Sequence, residues 1–153
     1  MSQTIKKSLL ITLDFPPNYG GVATYYHHIC DNLPSDKIVV VAPEHPEAEK
    51  FDQVQRYNIV RKNLANPTKV PKLFKMLNTL KWMSSIKFIA EIIKNHDIEL
   101  LQVGQILPLG TVALALKAKY KIPYIFYAHG LDITLPQKIY RKKKVNEKNY
   151  HQR

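Results

Sequence analysis

Two short stretches combine glycine with side chains that donate, accept or titrate. The first is Phe15-Pro16-Pro17-Asn18-Tyr19-Gly20-Gly21. Paired glycines let a backbone come close to a ligand and adopt positive φ. A helix starting at the second glycine adds unpaired N–H groups and a positive dipole end, so the loop suits phosphate or another anion. The ordinary reading of the same residues is a tight turn punctuated by Pro and Gly, and spacing alone weighs the two equally. The second stretch is His129-Gly130-Leu131-Asp132. His129 and Asp132 offer a donor and an acceptor, and Gly130 permits close approach. Its ordinary reading is a histidine bonded to backbone and an aspartate capping the next helical turn.

The other reactive side chains point to less. There is no Asp-x-Asp pair and no His/Cys cluster with ligand spacing, so the chemistry is expected to need no metal and no cofactor. His27 and His28 are neighbours on a helix and point different ways; His45, His96 and His151 fall in or beside polar segments. Cys30 is the single cysteine, which excludes an internal disulfide and fits a reducing compartment. It reads as a buried helix residue rather than a nucleophile. The tyrosines do not gather on one strand, so they read as core edges rather than a stacking platform.

The elements that must position these residues follow from hydrophobic period. Apolar, β-branched runs at 8–14, 37–42, 54–61 (the weakest), 98–103 and 122–128 predict five strands. A helix is expected from Gly21 to about Leu33, with Val22, Tyr25, Tyr26, Ile29 and Leu33 on its apolar stripe, stopped by Pro34. Residues 70–96 are helical in two phases. Leu73, Phe74, Met76, Leu77, Leu80 and Met83 share one face, while Ile86, Ile89, Ala90 and Ile93 share another. Two helices or a kink are expected at Ser84-Ser85. An Ala/Leu helix covers 109–119. Near-continuous apolar strands alternating with helices predict an α/β, doubly wound, mostly parallel Rossmann-like sheet. In such a sheet both glycine loops open beyond the carboxyl ends of strands, on one edge.

The whole-chain quantities set bounds. The 153 residues carry 45% hydrophobic and 23% charged side chains, enough for one buried core. Residues 1–135 are expected to be one domain, and 136–153 a basic tail, helical or disordered. The N-terminal run ends at Asp14 rather than at a small-residue cleavage site, so it reads as a strand and not a signal peptide. A net charge of +11 predicts attraction to anions: nucleic acid, acidic lipid or a phosphorylated substrate. The helix with Lys72, Lys75, Lys81, Lys87 and Trp82 can dock on an anionic membrane, although a helix packed on the sheet with solvated lysines is preferred. The run Arg141-Lys142-Lys143-Lys144 reads first as solvated charge rather than a nucleic-acid or head-group contact.

FPPNYGGVATYYHHICDNL resembles the opening motif of family-4 glycosyltransferases, and PYIFYAHGLDI resembles their later strand ending in His-Gly-x-Asp. Order, spacing and element context agree over essentially the whole chain. The resemblance implies the first, acceptor-side half of a GT-B fold, whose two Rossmann-like domains face each other across a cleft. It implies retaining transfer of a sugar from a nucleotide-sugar donor to an acceptor, a lipid or glycan of the cell envelope, in the cytoplasm or at the inner membrane face. By resemblance, Gly20 and Gly21 approach the donor diphosphate and His129 contacts the donor sugar near the reacting carbon. Gly130 keeps its strand end open, Asp132 supports the loop, and the acceptor lies near Asn18 and Tyr19. The strand before Gly104 reads LLQVGQ, where many relatives carry a histidine. The family's second domain, with its nucleotide pocket, is not in this sequence. The chain is therefore expected to be an incomplete first domain, inactive alone, working with a donor domain on the same or a separate chain. Two other classes compete. A non-catalytic basic module binding membrane or nucleic acid explains the charge but neither loop. A dinucleotide-binding oxidoreductase places Glu44 at the ribose, but Gly20-Gly21 is not followed by spaced glycines.

Overall fold

The computed structural model describes residues 5–64, 75–106, 109–130 and 134, with side chains in the helix from Lys75 described from Trp82 onward. Five strands form one sheet: β1 Ser8–Ile11, β2 Ile38–Ala42, β3 Asn58–Arg61, β4 Leu100–Val103 and β5 Tyr124–Phe126. Their order is β3-β2-β1-β4-β5 and every pairing is parallel. The order reverses between β1 and β4, the switch point at which open α/β sheets leave a crevice. The fold is the Rossmann-like layer expected from the apolar pattern.

Strand side chains alternate between two cores. On one face, Leu9, Ile11, Val39 and Val41 pack with Ile89, Ile92, Leu109, Val112 and Leu116. These come from helices α3 (Lys75–Asn95) and α4 (Leu109–Tyr120). On the other face, Leu10, Ile38, Val40 and Ala42 pack with Tyr26 and Cys30 of α1 (Gly21–Asp31), with Phe51 of the short α2 (Ala48–Asp52) against them. Burial of both faces explains why the strands read as continuous apolar runs rather than alternating ones.

Several elements differ from expectation. α2 and a 3₁₀ turn at Ser35–Lys37 are too short to leave a periodic signal. β3 begins at Asn58, because Gln53 to Tyr57 are spent closing α2 and turning back toward the sheet. α3 runs unbroken through Ser84-Ser85 instead of dividing into two helices. It contains neither Gly nor Pro, and serine is tolerated within a helix; Ser85 is buried. The second apolar phase is the packed one: Ile89 and Ile92 are buried, with Ile86, Phe88, Ala90 and Ile93 against the core. Met83, of the first phase, is exposed. Leu73 and Phe74, like the basic tail from Pro136, lie outside the described residues. Trp82 packs against the same core and donates through Nε1 to Thr111 Oγ1 at 3.3 Å, so its ring joins α3 to α4. Among the described residues no helix is long and apolar enough to cross a membrane.

α3 and α4 both end with a residue at positive φ, Asp97 (52°) and Lys121 (58°). After α3 the Ile98 N–H reaches back to the Ile93 carbonyl at 3.0 Å, which is how a left-handed residue closes a helix. Each turn then feeds the chain directly into the following strand.

Candidate functional site

The loop after β1 is held from two sides. Thr12 turns the chain by accepting the Asp14 N–H on Oγ1 at 3.1 Å and donating to the Asp14 carbonyl at 3.0 Å. Gln105, just beyond β4, accepts the Leu13 N–H at 3.0 Å and donates to the Asp14 carboxylate at 3.0 Å. On the other side, Arg61 at the end of β3 donates to both oxygens of Asp52, at 2.6 and 3.0 Å, and to the carbonyls of Pro16 (2.6 Å) and Pro43 (3.2 Å). Its guanidinium lies 5.8 Å from the centre of the buried Phe15 ring. The Pro16-Pro17 bond is cis. Thus the ends of β1, β3 and β4 are tied together around Phe15-Pro16-Pro17.

That loop delivers the chain to the start of α1. Gly20 is extended (φ 162°, ψ 154°), and its carbonyl accepts the Thr24 N–H at 3.0 Å. No described glycine lies in the left-handed region, so Gly20 and Gly21 do not supply a left-handed turn, contrary to one of the two reasons expected for the pair. The other reason stands: a Cβ on either residue would meet nothing within 4 Å, so the backbone there is open to close approach. No side chain caps α1, and its first turn holds no acidic residue. The positive end of the helix and its first N–H groups are therefore uncancelled.

An open cleft of about 330 Å³ lies at this helix end, lined by Gly21, Val22, Tyr25, Tyr127, Ala128 and His129. The two glycine-containing stretches thus meet. The meeting depends on the sheet, since β1 and β5 are separated only by β4 and Tyr127 N–H continues the ladder by donating to Val103 O at 2.9 Å. His129 Nε2 lies 2.5 Å from the Tyr26 hydroxyl, which also donates to the Gly104 carbonyl. The rings of Tyr25, Tyr26, Tyr127 and His129 pack edge-to-face, with centroids 5.4–6.0 Å apart. The tyrosines gather on no common strand, as expected, but Tyr25 and Tyr26 of α1 meet Tyr127 of the segment after β5 across the fold.

The remaining expected site residues are placed as follows. Gly130 is exposed, with no atom within 4 Å of a Cβ built on it, and its carbonyl accepts from Thr134 Oγ1 at 2.9 Å. Asp132 lies outside the described residues. Asn18 and Tyr19 do not line the cleft; Asn18 N–H closes a turn on Phe15 O at 3.2 Å, and Tyr19 is fully exposed. Gln102 does not reach the cleft directly. It is buried within the sheet, accepting from Tyr127 Oη at 2.6 Å and donating to Ser8 Oγ at 2.8 Å. Burial raises the Tyr127 phenol above its ordinary value, reinforced by Tyr25 and Cys30. Glu44 is exposed and accepts from Asn63 Nδ2 at 2.9 Å. His27 and His28 stack, 5.9 Å apart and 22° from coplanar, with His27 Nδ1 against Tyr57 Oη at 2.8 Å. This differs from the divergent pair expected. Among the described residues no three His, Cys, Asp or Glu side chains converge as a ligand set. The cleft thus brings the start of α1, two tyrosines and one imidazole together, residues that suit an anionic ligand bearing hydroxyls.

Sequence reasoning missed Tyr25, Tyr26, Tyr127, Gly104 and Gln105. Gly104 had a detectable signal as a glycine closing a strand. A Cβ there would sit 2.9 Å from Thr12 and 3.1 Å from the Tyr26 ring, so the loops after β1 and β4 and helix α1 converge too tightly for any side chain.

The chain matches the family model described as Glycosyltransferase Family 4 over residues 19–153. It is also similar to a GDP-mannose-dependent monoacylated alpha-(1-6)-phosphatidylinositol monomannoside mannosyltransferase of Corynebacterium glutamicum, with 26% identity over 132 residues. That alignment takes in 84% of this chain and 31% of the relative, so the chain spans about a third of the length of the curated relative it matches. With the family model covering the cleft, α1 and the whole sheet beyond β1, this chain belongs to glycosyltransferase family 4.

Proposed function

We propose that this chain is the acceptor-side half of a retaining glycosyltransferase that takes a sugar from a nucleoside diphosphate sugar and transfers it to a lipid-linked or envelope glycan. The observation that carries the proposal is the cleft joining the uncapped N-terminus of α1 to His129. Glycosyl transfer passes through an oxocarbenium-like state, while the departing diphosphate gains negative charge. Oriented N–H groups at Gly21 and the following residues stabilise that charge without reorganising. His129 faces the sugar from the opposite wall. The reaction proceeds without a metal ion or cofactor. In this reading a second domain completes the nucleotide site, while residues 1–153 by themselves bind the diphosphate sugar weakly and show no turnover. The relative's printed activity supports GDP-mannose as the first donor to test and a lipid-linked sugar as the first acceptor. The charge of +11 supports peripheral association with an anionic cytoplasmic membrane face.

Titration calorimetry with GDP-mannose, a uridine diphosphate sugar and NAD tests this reading. Binding of a diphosphate sugar is expected, at least tenfold weaker in Gly21→Val. A valine there fills the cleft mouth without meeting the fold, because nothing lies within 4 Å of its Cβ. Binding of NAD in preference to both sugars, or sugar binding indifferent to Gly21→Val, sinks the proposal.

A further inference from the structure

We infer that Tyr25 is a specificity-determining residue whose phenol hydroxyl bonds a hydroxyl of the donor sugar. On the glycosyl-transfer reading above, on which this rests, that bond lets the cleft tell a nucleoside diphosphate sugar from the bare nucleotide. Three side chains bring a polar atom to the cleft wall: Tyr25, Tyr127 and His129. The Tyr127 hydroxyl is engaged by Gln102 at 2.6 Å, and His129 Nε2 meets the Tyr26 hydroxyl at 2.5 Å. The Tyr25 hydroxyl has no hydrogen bond among the described residues, and the residue is 47% exposed. A phenol both donates and accepts, so this group suits a sugar hydroxyl, which does the same.

Placement on the helix favours the donor sugar over the diphosphate as the partner. Tyr25 follows Gly21 by four residues in α1, one turn on and on the same face, with a rise of about 6 Å. Helical side chains lean back toward the N-terminus. Tyr25 therefore borders the space beside the helix end, one sugar ring away from an anion held at the first N–H groups. Its own ring is held in place. Tyr26, Tyr127 and His129 stand edge-to-face with it at 5.6, 6.0 and 5.9 Å, at 60°, 77° and 84°. These contacts come from α1 and from the segment after β5, so the ring is fixed from two elements before any ligand arrives. A hydroxyl carried on a fixed ring forms its bond with little further loss of rotamer freedom.

NMR titration of the 153-residue chain with GDP-mannose, UDP-glucose, GDP and UDP reads weak binding directly. Tyr25→Phe keeps the ring and removes only the hydroxyl. In that variant the preference for the better-bound diphosphate sugar over its bare diphosphate is expected to fall about three- to tenfold, as loss of one neutral hydrogen bond at a half-exposed site predicts. A tyrosine that only shapes the wall would shift both affinities together and leave their ratio unmoved, and that result overturns the inference. In the unmodified chain, nuclear Overhauser transfer is expected between the Tyr25 ring and the sugar protons of the bound ligand. Its absence overturns the inference whether or not Tyr25→Phe folds. Where the unmodified chain binds neither diphosphate sugar, the glycosyl-transfer reading falls and takes this inference with it. Where it binds one and Tyr25→Phe keeps the ratio, the inference alone falls.

Discussion

Tyr25 and Tyr26 are adjacent, yet one is 47% exposed at the cleft and the other is sealed beneath it. Helical period alone places both on the apolar stripe of α1. The buried line is Ala23, Tyr26 and Cys30, about 100° of rotation away from the line through Tyr25, and only contact with the sheet chooses between them. Cys30 shows the other side of that choice. Burial, with Asp31 adding to it, pushes its thiol up from 9.0 to about 12, so it stays protonated and unreactive. Iodoacetamide at mildly alkaline pH is expected to leave native Cys30 unmodified and to alkylate it in urea; rapid labelling of the native chain would contradict this burial. The folded state holds the proton that the unfolded thiol releases, so Cys30 contributes stability below about pH 9 that is lost as pH rises toward about 12. Denaturation curves across that range should show a shallower decline in Cys30→Ala than in the parent chain.

The elements are held where loops cross. Arg61 joins β3 to α2 and to the loop before α1 through four hydrogen bonds. Arg61→Met leaves the Asp52 carboxylate without this partner and should cost about 2 kcal/mol in urea unfolding. It should also weaken ligand binding at the cleft, since Pro16 loses its tether. Gly104→Ala forces a Cβ to 2.9 Å from Thr12 and should cost about 1–3 kcal/mol by overpacking. A destabilisation below 0.5 kcal/mol (roughly the scatter of surface substitutions) would show that the loops can part. Lys121 stands in the left-handed region at φ 58°, where a Cβ is unfavourable. Lys121→Gly should therefore raise stability by about 1 kcal/mol, in the direction opposite to most glycine substitutions. Of these features, only the places where helices stop were readable from sequence. Gln105, Arg61 and Gly104 act on residues distant in the chain, and no local pattern marks such pairs.

Across the whole molecule, the sheet has two edge strands among the described residues: β3, which pairs with β2 alone, and β5, which pairs with β4 alone. Ile125 and Phe126 upon it are exposed, as is Leu114 of α4. A parallel edge with apolar side chains is a surface for further pairing. The purified 153-residue chain is expected to self-associate with rising concentration, and Ile125→Lys should reduce that association in light scattering without changing far-ultraviolet circular dichroism. Equal association in both would place the contact elsewhere. The same edge lies beside the cleft, next to the segment carrying Tyr127 and His129.

Local sequence was sufficient for what short-range physics controls. The apolar runs of β1 and β2, the Gly20-Gly21 start of α1, and the strand ending before His129 are each set by backbone preference and burial within a few residues. Together with the two quoted motifs, they were enough to indicate a Rossmann-like layer of family 4. Only the tertiary structure decided that α1 buries Tyr26 and turns Tyr25 outward, that Gln102 is consumed inside the sheet while Gln105 stitches two loops, and that His129 meets Tyr26 at 2.5 Å. The reason is that these choices depend on which strands become neighbours. The order β3-β2-β1-β4-β5 brings residues about a hundred positions apart to one sheet edge, and contact across such a distance leaves no periodic trace in the chain.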